Sequence, residues 1–489
     1  MRRVEGMHML DYSRYTLTNG QPFDLLSLHY FHRLNDWLHI GVGAFAPMFQ
    51  GNAGGFYGAD VTLHAQRRIA GNWFANAGLA LGAGAGGSSI ANIRRLSGDG
   101  LFARAYAGIG YRLRNGMSIG LNYSRVTIAN SQIDDGAVNL FMQRPFARSI
   151  GAYDDAGRTL GARDFDAPGR ESILSFNLSH MAQINPTGRY RGDIGLASVQ
   201  YSHFFSRDFY SFFGVDIGVT GLHWYNQAEG GVGYRLSLTE TVNLYGQIGI
   251  GSGGWVTSHV NTGPGFVIYP KVTLEYLWRN GIGATVSAGY FHAPQGTSRN
   301  WTLGIGLNYH LSHDHRRPPE AETPADYRLR GVRLHVMGRV TSPIAYNGRR
   351  SDGISMIAVQ VDYALNEHWY LAGQMAASAT AFRGYAGYAE GFVGLGWQSR
   401  PVLGGRVQGY AQVMYGLNDV GVSARHEVGP ILYPAIGVNY HLNDRLSLYG
   451  QMGAALSLGR YFNPGSTVNF HDASIGFGLT YRFSLPTRN

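Results

Sequence analysis

Residues 242–250 read Val-Asn-Leu-Tyr-Gly-Gln-Ile-Gly-Ile. Val242, Leu244, Ile248 and Ile250 fall on one side of an extended chain; Asn243, Tyr245, Gln247 and Gly249 fall on the other. Successive side chains of a strand point to opposite faces, so strict alternation marks a strand with one apolar and one polar face. Ile282, Ala284, Val286 and Ala288 oppose Gly283, Thr285, Ser287 and Gly289 in the same way. Arg114-Asn115-Gly116, Arg279-Asn280-Gly281 and Leu442-Asn443-Asp444 supply the residues that tight hairpins demand. The chain is all-β.

Working outward, the pattern repeats. Ala228-Glu229 and Ala389-Glu390 open matching strings, and Leu244-Tyr245-Gly246-Gln247 matches Gly409-Tyr410-Ala411-Gln412. Gly263 to Pro270 corresponds to Gly429 to Pro434, and Ile305 to Ser312 to Phe477 to Ser484. A fainter first copy carries Asp60, Phe74, Asn76 and Ile109-Gly-Tyr111. These landmarks divide the chain into repeats at 1–147, 171–312 and 331–484, with charged, proline-bearing linkers at 148–170 and 313–330. Each repeat holds about eight strands, so the chain holds about 24. Connections alternate between short turns such as 206–208, 239–241 and 279–281 and long glycine-rich loops such as 82–92, 251–262 and 292–299.

Composition narrows the class. The 489 residues include 70 glycines, 31 tyrosines, 24 phenylalanines and no cysteine, and only 15 % are charged. Disordered chains do not carry 13 % aromatics, and a helical membrane protein needs about 18 or more consecutive apolar residues, which never occur here. The net charge of +9 is spread thinly, with no basic run beyond pairs such as Arg316-Arg317, so no nucleic-acid partner is expected. The absence of cysteine fits an oxidising envelope compartment. Met1 to His8 has no apolar stretch, so no signal peptide is visible in this chain.

Short turns on one rim and long loops on the other are a property of transmembrane β-barrels. The apolar row Pro270, Val272, Leu274, Tyr276 and Trp278 is free of charge, whereas Lys271, Thr273 and Glu275 oppose it. Tyr111, Tyr276, Trp278, Tyr309, Tyr440, Tyr481 and Phe483 gather at strand ends, the place of a membrane girdle. The last strand, Ile475 to Phe483, alternates apolar residues and ends in phenylalanine, except that Ser484 to Asn489 follow it. On these features the chain resembles Gram-negative outer-membrane β-barrel proteins. That resemblance implies a bacterial outer-membrane location, contact with outer-membrane lipid, the barrel assembly machinery as a partner and, for an exporter, periplasmic export partners.

Repeats of this size can close singly, as three tandem eight-strand barrels, or together as one transmembrane antiparallel barrel of about 24 strands. The glycine, serine, threonine, asparagine and glutamine of the inward rows favour the single wide barrel, because small residues leave gaps in a narrow one. The pore-lining candidates are Asp60, Asn76, Glu229, Arg235, Tyr245, Gln247, Lys271, Glu275, Glu390, Tyr410 and Gln412. They would form rings of carboxylate, amide and aromatic groups around a polar solute; alternatively, Glu229 merely pairs with Arg235 or Lys271. His313 and His315 lack a nearby third ligand, so neither metal nor cofactor is expected. His471 and Ser474 lie on opposite faces of one strand and cannot act together, so the chain reads as no enzyme. The expected function is an outer-membrane channel or export barrel passing polar solutes or a polymer such as a polysaccharide or unfolded chain. The alternative is a structural or surface-interaction protein without a conducting pore.

Overall fold

The computed structural model describes residues 2–86, 96, 98–161, 171–222, 225–254, 259–278, 281–312, 327–346, 349–350, 352–380, 388–422, 425–457 and 470–488. Barrel one comprises β1 (Arg2–Thr16), β2 (Pro22–Arg33), β3 (Leu38–Ala46), β4 (Phe56–Ala70), β5 (Trp73–Gly86), β6 (Leu101–Arg112), β7 (Ser118–Ile128) and β8 (Asp134–Ile150). Barrel two comprises β9 (Ser172–Gln183), β10 (Ile194–Phe204), β11 (Phe209–Thr220), β12 (Asn226–Ser237), β13 (Val242–Gly254), β14 (Phe266–Leu277), β15 (Ile282–His292) and β16 (Arg299–Ser312). Barrel three begins with β17 (Tyr327–Thr341), followed by a small hairpin, β18 (Ala345–Tyr346) and β19 (Arg349–Arg350). It continues with β20 (Ser355–Ala364), β21 (Trp369–Ser378), β22 (Ala389–Gln398), β23 (Val407–Val422), β24 (Arg425–His441), β25 (Leu446–Ser457) and β26 (Phe470–Arg488).

Every repeat closes on itself. β1 pairs antiparallel with β8 from Arg2↔Ile150 to Ser13↔Asn139. β9 pairs with β16, and β17 pairs with β26 from Tyr327↔Arg488 to Thr341↔Ser474. The single wide barrel favoured by the sequence therefore does not form; the three tandem eight-strand barrels do.

The reason lies in how the inward glycines are used. They do not leave gaps; they are notches that receive aromatic rings from the neighbouring strand. Tyr210 lies across from Gly233 and Tyr370 across from its repeat equivalent, Gly396. A Cβ at either glycine would overlap the facing tyrosine ring, as one at Gly78 would overlap Tyr106. Narrow lumens are thus filled by rings folded over glycine. Gly396→Ala is expected to lower stability by about 1–3 kcal/mol, the usual cost of overpacking a tight interior, measured as the urea unfolding midpoint of the detergent-folded protein.

The faces are inverted relative to a protein in water. Leu79, Leu303, Ile305 and Phe477 point outward and are 64–69 % exposed, whereas Thr62, Asn139 and Gln360 point inward and are fully buried. An even strand number brings both ends of each barrel to one rim. That rim carries short turns fixed by side-chain caps: Asn35 Oδ1 accepts from Trp37 N and Leu38 N, Asn366 Oδ1 from His368 N and Trp369 N, and Asn443 Oδ1 from Arg445 N and Leu446 N. Turn 399–406 is the longer exception.

The barrels touch rim to matching rim, which fixes a shared orientation. At the long-loop rim, Phe266 N donates to Met48 O (3.0 Å), Ser252 Oγ to Pro47 O (2.7 Å) and the Tyr57 hydroxyl to Ser252 O. At the short-turn rim, Gly151 and Ser484 exchange backbone hydrogen bonds of 2.9 and 3.1 Å, and the hydroxyls of Tyr309 and Tyr363 are 2.8 Å apart.

Candidate functional site

The inward rows converge in three lumens, each built in layers. In barrel one the upper layer is apolar and includes Phe23, Phe45, Phe56 and Phe102. Below it Arg104 donates from both terminal nitrogens to Asp11 (3.0 and 2.7 Å). His29 Nε2 lies 3.1 Å from Asp60 Oδ1, which also accepts the Thr62 hydroxyl. A second apolar layer of Met7, Met9, Phe31, Phe74, Tyr106 and Phe141 follows. Beneath that, between the short turns, is a cavity of about 710 Å³.

Barrel two is crossed at mid-height by a reciprocal amide pair. Gln200 Nε2 donates to Gln247 Oε1 (3.1 Å) and Gln247 Nε2 to Gln200 Oε1 (3.0 Å), while the Tyr210 hydroxyl donates to Gln247 Oε1 (3.1 Å). Lys271 donates to Gln200 (3.2 Å) and stands 4.0 Å from Glu229. Lower down, Glu275 accepts from Tyr245 (2.6 Å), Asn243 (2.9 Å) and Asn308 (2.7 Å) and meets His310 Nε2 at 3.0 Å. His310 Nδ1 and Arg235 both engage Glu171, at 2.7 and 2.6 Å. Between these layers lies a space of about 30 Å³, room for roughly one or two waters.

Barrel three repeats the amide lock. Gln360 and Gln412 donate to one another at 3.0 and 3.2 Å, and Tyr370 donates to Gln412 Oε1 at 3.1 Å. Arg339 pairs with Glu390, which also accepts the Tyr388 hydroxyl. Asp362 is held by Arg333 (2.8 Å), His335 (2.7 Å) and Gln360 (2.7 Å). The segment following β8 closes the lower mouth. Its 3₁₀ turn, Tyr153–Asp155, buries Tyr153 there, with the Arg482 guanidinium 5.5 Å from the ring centre. Gly157 N donates to Leu329 O (2.7 Å) and Leu329 N to Arg158 O (2.9 Å). This part of the predicted linker is therefore a packed stopper; 162–170 and 313–326, with His313 and His315, lie outside the described residues.

Every predicted lumen residue does face inward. Asp60, Glu229, Glu390, Asn76, Gln247, Gln412, Phe74, Tyr245 and Tyr410 are all buried, but the trios are not all level: Gln247 and Gln412 lie opposite the matching glycines Gly233 and Gly396, whereas Glu229 precedes its glycine by four residues and Glu390 by six. Because each trio is divided among three barrels, none forms a ring around one pore. Lys271 is the neighbour of Glu229, whereas Arg235 serves Glu171. Of the girdle, Tyr111, Tyr276, Trp278 and Tyr440 are exposed on the outer face. Tyr309 and Tyr481 instead meet neighbouring barrels, Tyr481 with its ring 5.0 Å from His32, and Phe483 packs 5.6 Å from Tyr481.

Sequence reasoning missed Gln200, Gln360, Tyr210 and Tyr370. The signal was present: Val199-Gln200 and Phe209-Tyr210 match Val359-Gln360 and Trp369-Tyr370, respectively two strands and one strand upstream of the Ala228-Glu229 and Ala389-Glu390 landmarks. The Arg104–Asp11 pair had no such signal, because it joins β6 to β1 across a lumen that only closure creates; Asp362 and Arg333 are cross-strand partners on the adjacent β20 and β17 and went unread. Among the described residues no cluster of histidine or acidic side chains is arranged to hold a metal.

No family model and no curated protein matches this chain. Similar solved structures include the N-terminal β-barrel domain of Pseudomonas aeruginosa OprF, with 9 % identity over 31 % of this chain and 97 % of that one and a TM-score of 0.24. Neisserial surface protein A gives 12 %, 31 %, 96 % and 0.25 in the same order. The ferripyoverdine receptor of the Pseudomonas aeruginosa outer membrane gives 10 %, 99 %, 72 % and 0.30. Scores this low lend the likeness no weight; the fold rests on the barrels' own pairing.

Proposed function

We propose that this chain is a bacterial outer-membrane protein that anchors a long-loop surface with three barrels and offers no lumen to a polymer. What supports the membrane reading is the outer face. Leucine, isoleucine and valine encircle each barrel there, whereas proteins in water rarely expose contiguous apolar patches beyond a few hundred Å². Hydrocarbon also requires every spanning strand to pair within the protein, a condition met by closure. The observation that carries the functional reading is the filled lumen: a glutamine pair capped by tyrosine crosses barrels two and three, and two apolar layers cross barrel one. The repeated carboxylates and amides then act as internal cross-links, and the partners are lipid along the walls and whatever meets the long loops outside. We read the chain as non-catalytic too: the histidine–carboxylate pairs His335–Asp362 and His310–Glu275 are sealed in the lumens, and His180–Asp193 is an open surface pair.

One observation favours a second reading, passage of small polar solutes: the cavity reaching into barrel one from the short-turn rim. Planar-bilayer recording on folded protein separates the two. A quiet membrane with inserted protein is the expected result; large stepwise openings would establish transport and overturn the anchoring role.

A further inference from the structure

We propose that the cavity at the short-turn end of barrel one binds an amphipathic organic anion, a small molecule carrying a carboxylate on an apolar body. The inference goes beyond the anchoring role and does not depend on it. At about 710 Å³ the cavity lies within the ~300–1,000 Å³ range of small-molecule sites. The other two barrels spend the same region on structure: Glu171, Arg235, His310 and Glu275 bind one another across barrel two, and Tyr153 stops barrel three. Among the described residues, barrel one carries at this end the cavity of about 710 Å³.

The wall chemistry selects charge. Both carboxylates of the cavity, Glu5 and Asp36, are taken by Arg33, whose Nε also donates to Asn35 O (3.1 Å). On the opposite wall Arg68 donates from Nε to Gly71 O at 2.7 Å, and among the described residues its two terminal nitrogens have no partner. The Arg112 guanidinium makes no hydrogen bond or ion pair among the described residues, and His39 Nδ1 is buried without a partner. Two guanidinium groups and an imidazole on β3, β4 and β6 thus face a space in which Arg33 holds both acids, and three guanidinium groups against two carboxylates leave a positive excess. An anion is the ligand that completes them, through charge-assisted hydrogen bonds. The floor selects the rest of the molecule. Met7, Phe74 and Pro145 line it, and an apolar body would cover them where an inorganic ion would leave them wet.

The test uses full-length protein in detergent micelles, with calorimetry and saturation-transfer NMR. The probes are 2-naphthoate, its uncharged amide and inorganic phosphate. Saturable one-site binding of naphthoate is expected, with the amide and phosphate each at least tenfold weaker. Arg68→Gln with Arg112→Gln should weaken naphthoate at least tenfold, Arg112→Lys should retain most of the affinity, and Arg207→Gln on a barrel-two turn should change nothing. Arg68 and Arg112 are exposed at the rim, so heat-resistant gel mobility will confirm that the variants fold. Non-saturable uptake, equal binding of the amide or of phosphate, or full affinity in the double variant would each overturn the assignment.

Discussion

Asp362→Ala is expected to cost about 3–5 kcal/mol of folding free energy, because it leaves partners of a buried ion pair uncompensated. Asp362 is 2 % exposed and receives Arg333 and His335 on Oδ2 and Gln360 on Oδ1. Arg333 is itself 1 % exposed, with its other terminal nitrogen on Gln398 Oε1 at 2.7 Å and Tyr370 stacked against it at 4.4 Å. Without the carboxylate, that guanidinium has no anion within the lumen layer and no route to water past the Tyr153 stopper. The loss should also spread. Gln360, half of the amide lock, is oriented by the same carboxylate, so the lock loosens with it. Urea unfolding of detergent-folded protein, followed through tryptophan fluorescence, reads the effect. Replacing Arg333, His335 and Asp362 together by apolar residues of similar volume should recover most of the loss, since removing all the charges also removes their desolvation penalty. A triple variant as weak as Asp362→Ala would show that shape, not charge, sets the cost.

The contrast between what was and was not legible in sequence follows from range. Strand positions, faces and turns are local: the alternation over 242–250 predicted outward Ile248 and Ile250 and inward Tyr245 and Gln247, and each stands where expected. The repeat was legible because equivalent positions meet equivalent surroundings, most plainly the tyrosine-capped glutamine pairs. Closure was not. Whether β1 pairs with β8 or with β26 depends on residues well over a hundred positions apart, and both pairings satisfy the same alternation. Interior volume was misread for a related reason. Glycine in an inward row counts as empty space in a sequence, yet Gly233 and Gly396 are occupied by rings belonging to other strands. The Tyr153 stopper escaped for the opposite reason: its segment is polar and irregular, as a linker would be, and only the barrel it enters makes it structural.

Val286→Arg decides whether the outer face meets lipid. Val286 lies mid-strand in β15, 61 % exposed, with Leu274 and Ile305 beside it in register on β14 and β15's other neighbour, β16, and both of those are exposed as well. In hydrocarbon an arginine at this height is expected to cost about 2–4 kcal/mol, because the guanidinium has no solvent there and must reach the interface along its own stem. Exposed in water, the same substitution would fall within about ±0.5 kcal/mol, as surface changes usually do. Depth supplies the control. Tyr276→Arg at the short-turn end of β14 should cost only about 0–1 kcal/mol, since headgroups and water are within reach there. The measurement is the unfolding free energy of protein folded into phospholipid vesicles, obtained by guanidinium titration. A steep penalty at Val286 and a slight one at Tyr276 give the depth profile of a bilayer. Equal, small penalties at both positions would place these apolar rows against water or another protein surface, and the membrane reading would go with them.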